Sequence, residues 1–383
     1  MWMIPLYKLY EEQRYLIDEW LPSLTEGEIV LVQEYDTSVI LHSIPNLYRI
    51  HENVSIVILV PNNLLISILE SQILELNIEN SNIQIRNYFT FIQNNNKEFD
   101  YIFVIEAMEL TFDMIRNLSE MANSLILSNT FNISNNINPY TKEASISIEE
   151  IGLIVNRTWT YLTIYRLPNK SMIKVISSLI PSMSDILLKT DNKKIDVTPT
   201  LAKASDKEKE VEYILSKSKD AIGYAGETIA IVLPTQKDVI EFINIVCKLH
   251  NINMFSSQKG NYLTELNQYL KNNDIDIAYI GNKNADQLLE NINQGKIIVL
   301  SYKNIRFIKF DNIFLPFFSE KLDIDTNSLI SAIESVELSL CITYSGTMHE
   351  FVERIESNLN KVDIDKILSQ SNNSNNFDDD FDF

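Results

Sequence analysis

A buried strand that ends in acidic residues is the feature that most constrains this chain. The stretch from Asp100 to Leu110 reads DYIFVIEAMEL; a charged, Asn-rich segment precedes it and a helical pattern follows. An apolar run of this length with acids at its C-terminal end is typical of a central strand in a parallel sheet. Ligands bind at that end of the strands in open α/β sheets. The sequence therefore predicts such a sheet, with a candidate site at its carboxyl edge.

Strands and helices alternate along most of the chain, which favours doubly wound parallel sheets. A polar segment at 189–199 separates two halves of like architecture. We predict domains at 1–190 and 200–362, followed by an acidic, Ser- and Asn-rich tail at 363–383 whose composition indicates disorder. The predicted strands are 28–32, 54–60, 83–86, the apolar part of the stretch 100–110, 124–128 and 161–165, then 228–233, 276–280, 296–302, 312–317 and 338–344.

The composition argues against several classes of protein. A net charge of −20 disfavours broad nucleic-acid binding, because an acidic surface repels phosphate backbones. Cys247 and Cys341 lie far apart in apolar runs, which predicts buried thiols of a cytoplasmic protein. No apolar run is long enough to span a membrane, and the start lacks a signal-peptide pattern. The common hydrolase and metal motifs are absent from the sequence, so we expect neither a cofactor nor a metal.

The loop after the first predicted strand lacks what a phosphate loop needs. Such loops use glycines to wrap backbone N–H groups around the phosphates and a lysine to neutralise them. Residues 33–40 (QEYDTSVI) contain no glycine and no lysine, and Glu34 and Asp36 place carboxylates there instead. The simpler interpretation is a strand-to-helix turn with Asp36 or Thr37 as the helix N-cap. We therefore expect no tight triphosphate binding at this loop.

A series of short segments along the chain is similar to known motifs in order and spacing. They are 9–13 (LYEEQ), 31–33 with 37–42, 57–65 (VILVPNNLL), 104–110 (VIEAMEL), 164–166 (IYR), 306–316 (RFIKFDNIFLP) and 329–346. Together they resemble the core of UvrD/Rep-type superfamily-one DNA helicases over about residues 5–360, with 9–13 at the adenine-reading motif, 31–42 at the P-loop and 104–110 at VDEAQDL. The resemblance rests on the order of the segments rather than on any single motif, and it implies two tandem RecA-like parallel-sheet domains.

The departures from that family all remove ATPase chemistry. Ile105 stands at the magnesium aspartate, Met108 at the γ-phosphate-sensing glutamine and Ser335 at the arginine finger, and the P-loop lysine is missing. An arginine finger alone contributes roughly 10³–10⁵-fold to phosphoryl transfer. The family's large inserted subdomains, which take part in strand separation, also have little room here. The resemblance therefore implies a helicase-like protein without ATP-driven motion.

Four residues remain as candidate remnants of the nucleotide site. By the resemblance, Gln13 is the adenine-reading glutamine, Thr37 a P-loop residue, Glu106 the catalytic glutamate and Arg166 the nucleotide-contacting arginine. Three of them have simpler alternatives. Gln13 suits a solvated helix residue, Glu106 a cap at a strand end, and Arg166 an ion-pair partner.

The tail resembles the acidic C-terminal tip of bacterial single-stranded-DNA-binding proteins, in which aspartates precede a terminal phenylalanine. In that interpretation an aromatic side chain fills an apolar pocket on a partner and the aspartates steer toward a basic rim. The alternative is an acidic segment that only improves solubility. The residues concerned are Phe377, Asp378, Asp379, Asp380, Phe381, Asp382 and Phe383.

Three functions follow from these observations as hypotheses. The first is a non-catalytic, UvrD-like subunit or adaptor that binds protein partners, partly through the tail, in DNA repair, replication or antiviral defence. The second is a single-strand-binding module in which Tyr88, Phe89, Phe91 and Tyr302 stack on bases, although these aromatics also suit the core. The third is a divergent ATPase or helicase that still binds nucleotide through Gln13 and Arg166.

Overall fold

The protein divides into two compact units, residues 1–167 and 168–383, which are described here one at a time. The computed structural model describes residues 6–33, 37–51, 53–76, 82–94, 98–129, 144–160, 169–181, 195–256, 262–281, 284–306 and 308–374.

The first unit alternates strands with helices. A helical segment opens it, with 3₁₀ turns at Leu6–Lys8 and Leu21–Ser23 and a π turn at Leu16–Trp20. The strands are β1 (Glu28–Gln33), β2 (Ile56–Val60), β3 (Ile83–Asn87), β4 (Phe99–Val104), β5 (Ala122–Asn129) and β6 (Arg157–Thr160). The helices are α1 (Glu11–Tyr15), α2 (Ser38–Ile50), α3 (Asn63–Glu75), α4 (Tyr88–Asn94), α5 (Phe112–Ser119) and α6 (Ile148–Ile154).

The strands form a six-stranded sheet in the order β3-β2-β4-β5-β1-β6, and every pairing in it is parallel. All five residues of β2 are buried, as expected of a central parallel strand covered on both faces. The connection after β1 leads past β5 and β4 to β2, whereas the one after β5 leads past β1 to β6. The crevice between β1 and β5 is therefore the topological switch point, where open α/β sheets bind ligands.

The second unit repeats the pattern with one additional strand. Its strands are β7 (Thr200–Ala204), β8 (Ile229–Leu233), β9 (Ile277–Tyr279), β10 (Ile297–Ser301), β11 (Phe310–Leu315), β12 (Val336–Ser345) and β13 (Asn360–Asp363). Its helices are α7 (Lys170–Leu179), α8 (Lys207–Asp220), α9 (Gln236–Leu249), α10 (Tyr262–Asn272), α11 (Leu288–Asn293), α12 (Tyr302–Ile305), α13 (Thr326–Glu334), α14 (Glu350–Ile355) and α15 (Ile364–Ser374).

The two sheets share one topology. The second sheet has the order β13-β7-β12-β11-β8-β10-β9, again with parallel pairings. When β9 is set aside, each strand has a counterpart in the first sheet: β7 corresponds to β1, β8 to β2, β10 to β3, β11 to β4, β12 to β5 and β13 to β6. The switch point of the second sheet consequently lies between β7 and β12.

The corresponding strands β4 and β11 also share a local sequence and a hydrogen-bond pattern. They read FDYIFV and FDNIFL. Asp100 accepts hydrogen bonds from the Ser55 N–H at 2.8 Å and the Ser55 hydroxyl at 2.7 Å. Asp311 accepts the same two bonds from Thr228, both at 2.8 Å. Each aspartate thus ties the start of one strand to the residue before its neighbour, in both units.

Asp311→Asn is expected to lower the free energy of unfolding by about 1–2 kcal/mol, because hydrogen bonds to a charged acceptor stabilise more than neutral ones. Urea denaturation measures the change. The matched control is Asp323→Asn, which alters an exposed aspartate and is expected to shift stability by less than about 0.5 kcal/mol. Equal effects of the two substitutions would contradict a role for the strand tie.

The N-terminal helical segment packs onto β6 through aromatic side chains. Tyr15 stacks on Trp159 with ring centroids 5.7 Å apart, and Trp20 lies at the same distance from Trp159. The guanidinium of Arg157 lies 4.6 Å from the Trp20 ring and donates to the Ser23 hydroxyl at 3.3 Å. Leu16 and Ile17 of the same segment are buried. Leu6, at the start of the segment, is 45% exposed.

Several sequence-based boundaries differ from the structure. The predicted domain limit at 190–200 falls inside the second unit, which already begins at residue 168. Helix α7 precedes the predicted limit but belongs to this unit: Arg354 donates to the Leu179 carbonyl, and Asn169, just before α7, donates to the Leu338 carbonyl. The second domain also continues beyond 362, since α15 occupies part of the predicted tail and packs Ile367 and Leu368 on the core. The strand predicted at 161–165 lies outside the described residues, directly after β6.

Candidate functional site at the carboxyl edge of the first sheet

The crevice between β1 and β5 is where a ligand is expected in the first unit. The loop that follows β1, residues 34–36, lies outside the described part of the chain. Thr37 follows it as the residue before α2, half-buried, and its carbonyl accepts from the Leu41 N–H at 3.0 Å. Thr37 is the N-cap residue of α2, one of the two positions predicted, although its side chain makes no capping hydrogen bond.

Ile105 is the residue that the sequence resemblance aligns with a magnesium aspartate. It follows β4, and its N–H donates to the Leu59 carbonyl at 2.9 Å, which extends the strand ladder by one residue. Only 4% of Ile105 is exposed. Met108 is partly buried and packs against the apolar cluster of this sheet. The end of β4 is therefore part of the hydrophobic core. Metal chemistry at this position would need a solvent-accessible carboxylate.

Glu106 begins a short 3₁₀ turn at Ala107–Glu109 in an unusual backbone conformation. Its φ and ψ are 59° and 55°, the left-handed region, which non-glycine residues adopt rarely and at functional or strained sites. Its carbonyl accepts from the Glu109 N–H at 3.0 Å, and its side chain makes no capping bond. Glu106 is 5% exposed, so this carboxylate has little access to solvent.

A second buried acid, Glu109, is held by a tyrosine. The Tyr88 hydroxyl donates to Glu109 Oε2 at 3.0 Å, and Tyr88 is fully buried. Sequence reasoning missed this pair, because the two residues are 21 positions apart and nothing in either segment signals the contact. The bond joins the turn after β4 to the start of α4.

Gln13 is buried rather than solvated. It is 2% exposed in α1, and its Oε1 accepts from the Tyr10 N–H at 3.0 Å. The proposed solvated-helix alternative is therefore wrong, and the carbonyl that would read adenine already caps the start of its own helix.

The structure brings together only part of the predicted site. Thr37 and Glu106 follow parallel strands that flank β5, so both lie at the carboxyl edge of the sheet. Gln13 lies in the segment before β1. Arg166 and the tail residues 377–383 lie outside the described residues. Within the described ranges, no group of three or more His, Cys, Asp or Glu side chains is arranged to hold a metal ion.

In the second unit, the residue at the arginine-finger position of the resemblance and the counterpart of Glu106 are both buried and uncharged. Ser335, at the arginine-finger position, is buried and donates to the carbonyls of Ser331 and Ile305 at 2.8 and 3.1 Å. Phe317 corresponds to Glu106 and is also left-handed, with φ 62°. Its N–H donates to Glu210 Oε2 at 2.9 Å, and the Thr343 hydroxyl donates to the same oxygen at 2.6 Å.

The four aromatics considered for base stacking belong to the core. The exposed fractions of Tyr88, Phe89, Phe91 and Tyr302 are 0%, 4%, 6% and 5%. Stacking on a base requires an accessible ring face. These residues therefore cannot form a single-strand platform.

Comparison with known proteins supports the fold and no finer identity. No protein-family model matches the sequence, and no curated protein matches it. A Dbp5 variant of S. cerevisiae bound to RNA and ADP BeF3 is similar over 97% of this chain and 98% of its own, with a TM-score of 0.50 and 10% identity. The chain is thus α/β, with two parallel sheets that match tandem RecA-like domains.

Two other solved structures come from helicases at lower similarity. The C-terminal domain of a possible DNA helicase from Lactobacillus plantarum WCFS1 matches 52% of this chain and 98% of its own, with a TM-score of 0.35 and 10% identity. RecG bound to a three-way DNA junction matches 93% of this chain, with a TM-score of 0.44 and 13% identity, and this chain spans 45% of the RecG chain. In the described part of the chain, every helix is too short or too polar to cross a membrane.

Proposed function

We propose that this protein is a helicase-like subunit that works by binding partners and does not hydrolyse ATP. The observation that carries the proposal is the end of β4. A buried isoleucine replaces the metal ligand, and the following glutamate is turned into a left-handed residue with 5% exposure. Hydrolysis of a nucleoside triphosphate needs a hydrated Mg²⁺ held by an accessible carboxylate. This edge of the sheet offers no such group among its described residues.

ATP turnover by the full-length protein tests the proposal. We expect phosphate release at the background rate with Mg²⁺, both alone and with single-stranded DNA or RNA, because the residues that supply most of the rate are replaced. Glu106→Gln is the internal control, since it removes the remaining catalytic candidate without changing its size. Turnover that nucleic acid stimulates and Glu106→Gln abolishes would overturn the proposal.

The partner in this proposal is a protein, captured in part by residues 377–383. Three phenylalanines among seven residues are more than a solubilising segment needs. Phe381→Ala is expected to weaken capture by about 2 kcal/mol, the usual effect of removing an aromatic anchor. Pull-downs with the unsubstituted protein and with Phe381→Ala, run side by side, measure the loss of capture. Asp382→Asn is the control for a change of charge. Unchanged capture by Phe381→Ala would assign the tail to solubility.

A further inference from the structure

The second sheet has a pocket near its own switch point. β7 corresponds to β1, and a pocket of ≈ 430 Å³ opens beside the carboxyl ends of β7 and β13. Its volume lies within the range of about 300–1,000 Å³ that small-molecule sites occupy. The side chains that matter here are Lys203, Ser205, Tyr344, Glu356, Lys361 and Asp365, all of which line it.

One carboxylate that lines this pocket, Asp365, is held by three donors. Asp365, in the first turn of α15, accepts from the Ser205 N–H at 2.8 Å and the Ser205 hydroxyl at 2.9 Å, and it pairs with the Lys209 ammonium. The Lys209 hydrogen bond, with help from Ser205, holds the pKa of Asp365 below its usual value. Three converging donors on one carboxylate are the arrangement by which proteins hold oxyanions.

Among the described residues, one lysine of the pocket lining forms no ion pair. Glu356 pairs with Lys361 at 2.7 Å, Asp363 with Lys366 at 3.3 Å, and Asp365 with Lys209. The remaining lining lysine is Lys203. Asp206, next to Ser205 in sequence, accepts from the Ser205 hydroxyl at 3.1 Å. If Asp365 leaves, Lys209 loses its ion-pair partner, and Lys203 and Lys209 can hold an anion such as a phosphate group.

We propose that this pocket binds a phosphate-bearing small molecule and that Asp365 occupies the phosphate position in the unliganded protein. The fold makes exchange feasible, because β13 is only four residues long, lies at one edge of its sheet and leads directly into α15. Leu201 and Tyr344 supply apolar surface for the rest of the ligand. This inference does not depend on the proposed function, because it concerns the second unit and requires no turnover.

Titration with inorganic phosphate at constant ionic strength, followed by calorimetry, tests the inference. Asp365→Asn removes the competing charge, so the full chain should bind phosphate about tenfold more tightly than the unsubstituted protein. Adding Lys209→Met to that variant should abolish the gain. Glu356→Gln is the matched control: it removes one carboxylate from the same pocket and leaves Asp365 in place.

The control decides between a built site and general electrostatics. Glu356→Gln is expected to change the affinity by less than about threefold. Equal gains in Glu356→Gln and Asp365→Asn, or no gain in either, would overturn the inference. Circular dichroism confirms that each variant is folded. Asp365→Ser provides a second substitution that also removes the charge, and it should show the same gain.

Discussion

Ile105→Asp is expected to lower the free energy of unfolding by about 3 kcal/mol or more and to leave ATP turnover at background. The substitution restores the residue type that a magnesium site needs, but it places a carboxylate at a position that is 4% exposed and continuous with the β4 ladder. Burying a charge without a partner is among the largest destabilising effects of a single substitution. Chemical denaturation gives the stability, and phosphate release gives the turnover.

Ile105→Val serves as the matched control, because it keeps the apolar contact and removes one methylene. Its expected cost is about 1 kcal/mol. If Ile105→Asp were as stable as Ile105→Val, the end of β4 would be accessible to solvent, and an aspartate there could serve as a metal ligand. That outcome would contradict the structure at its most informative residue.

Glu210→Ala is expected to lower the free energy of unfolding by about 3 kcal/mol, because the Phe317 N–H and the Thr343 hydroxyl lose their common acceptor inside the second unit. Glu210 is completely buried. Denaturation at pH 5 measures the loss. Phe317 lies after β11 in the left-handed region, so the same carboxyl also fixes a conformation that a phenylalanine rarely adopts.

Glu210 also predicts a direction for the pH dependence of stability. Burial raises the pKa of Glu210, and the hydroxyls of Thr343 and Ser345, the Phe317 N–H and the Lys207 ammonium oppose this rise without cancelling it. The stability that the raised pKa confers is present in full below the unfolded-state pKa, and it is lost as pH rises through the folded-state pKa.

The wild-type protein should therefore become less stable relative to Glu210→Gln as pH rises. The amide keeps an acceptor for the Phe317 N–H and does not titrate. Cys341 also faces Glu210, and burial raises the pKa of its thiol to about 12, so it stays neutral in this range. Parallel stability curves for the two proteins would contradict a raised pKa at Glu210.

The sequence predicted the buried strands well, because their signal is local. The strand predicted in the stretch 100–110 is β4 (Phe99–Val104), and the one at 228–233 is β8 (Ile229–Leu233). β7 and β13 were missed, since TLAKA and NKVD are short and carry lysines on an open face. The Ser and Asn content of α15 is typical of a linker, whereas the helical spacing of Ile364, Ile367 and Leu368 is a weaker signal in so short a segment.

The candidate site depends on contacts that no local pattern reports. The Tyr88–Glu109 bond, the Asp311–Thr228 tie and the Ser205–Asp365 contact join residues that are 21, 83 and 160 positions apart. The substitution at Ile105 was visible in the sequence, but its burial followed only from the packed sheet. The segments FDYIFV and FDNIFL are similar in sequence, but only the strand order shows that they occupy corresponding places in the two sheets.

Equilibrium binding of ATP with Mg²⁺, measured by calorimetry on the full-length protein, tests the central claim most directly. We expect no saturable binding up to millimolar ATP. The loop after β1 lacks glycine and lysine, and the buried Ile105 stands where a metal-binding carboxylate would be needed. Saturable, Mg²⁺-dependent binding that Gln13→Ala or Arg166→Ala weakens would contradict the account. It would show that a working nucleotide site survives in this fold.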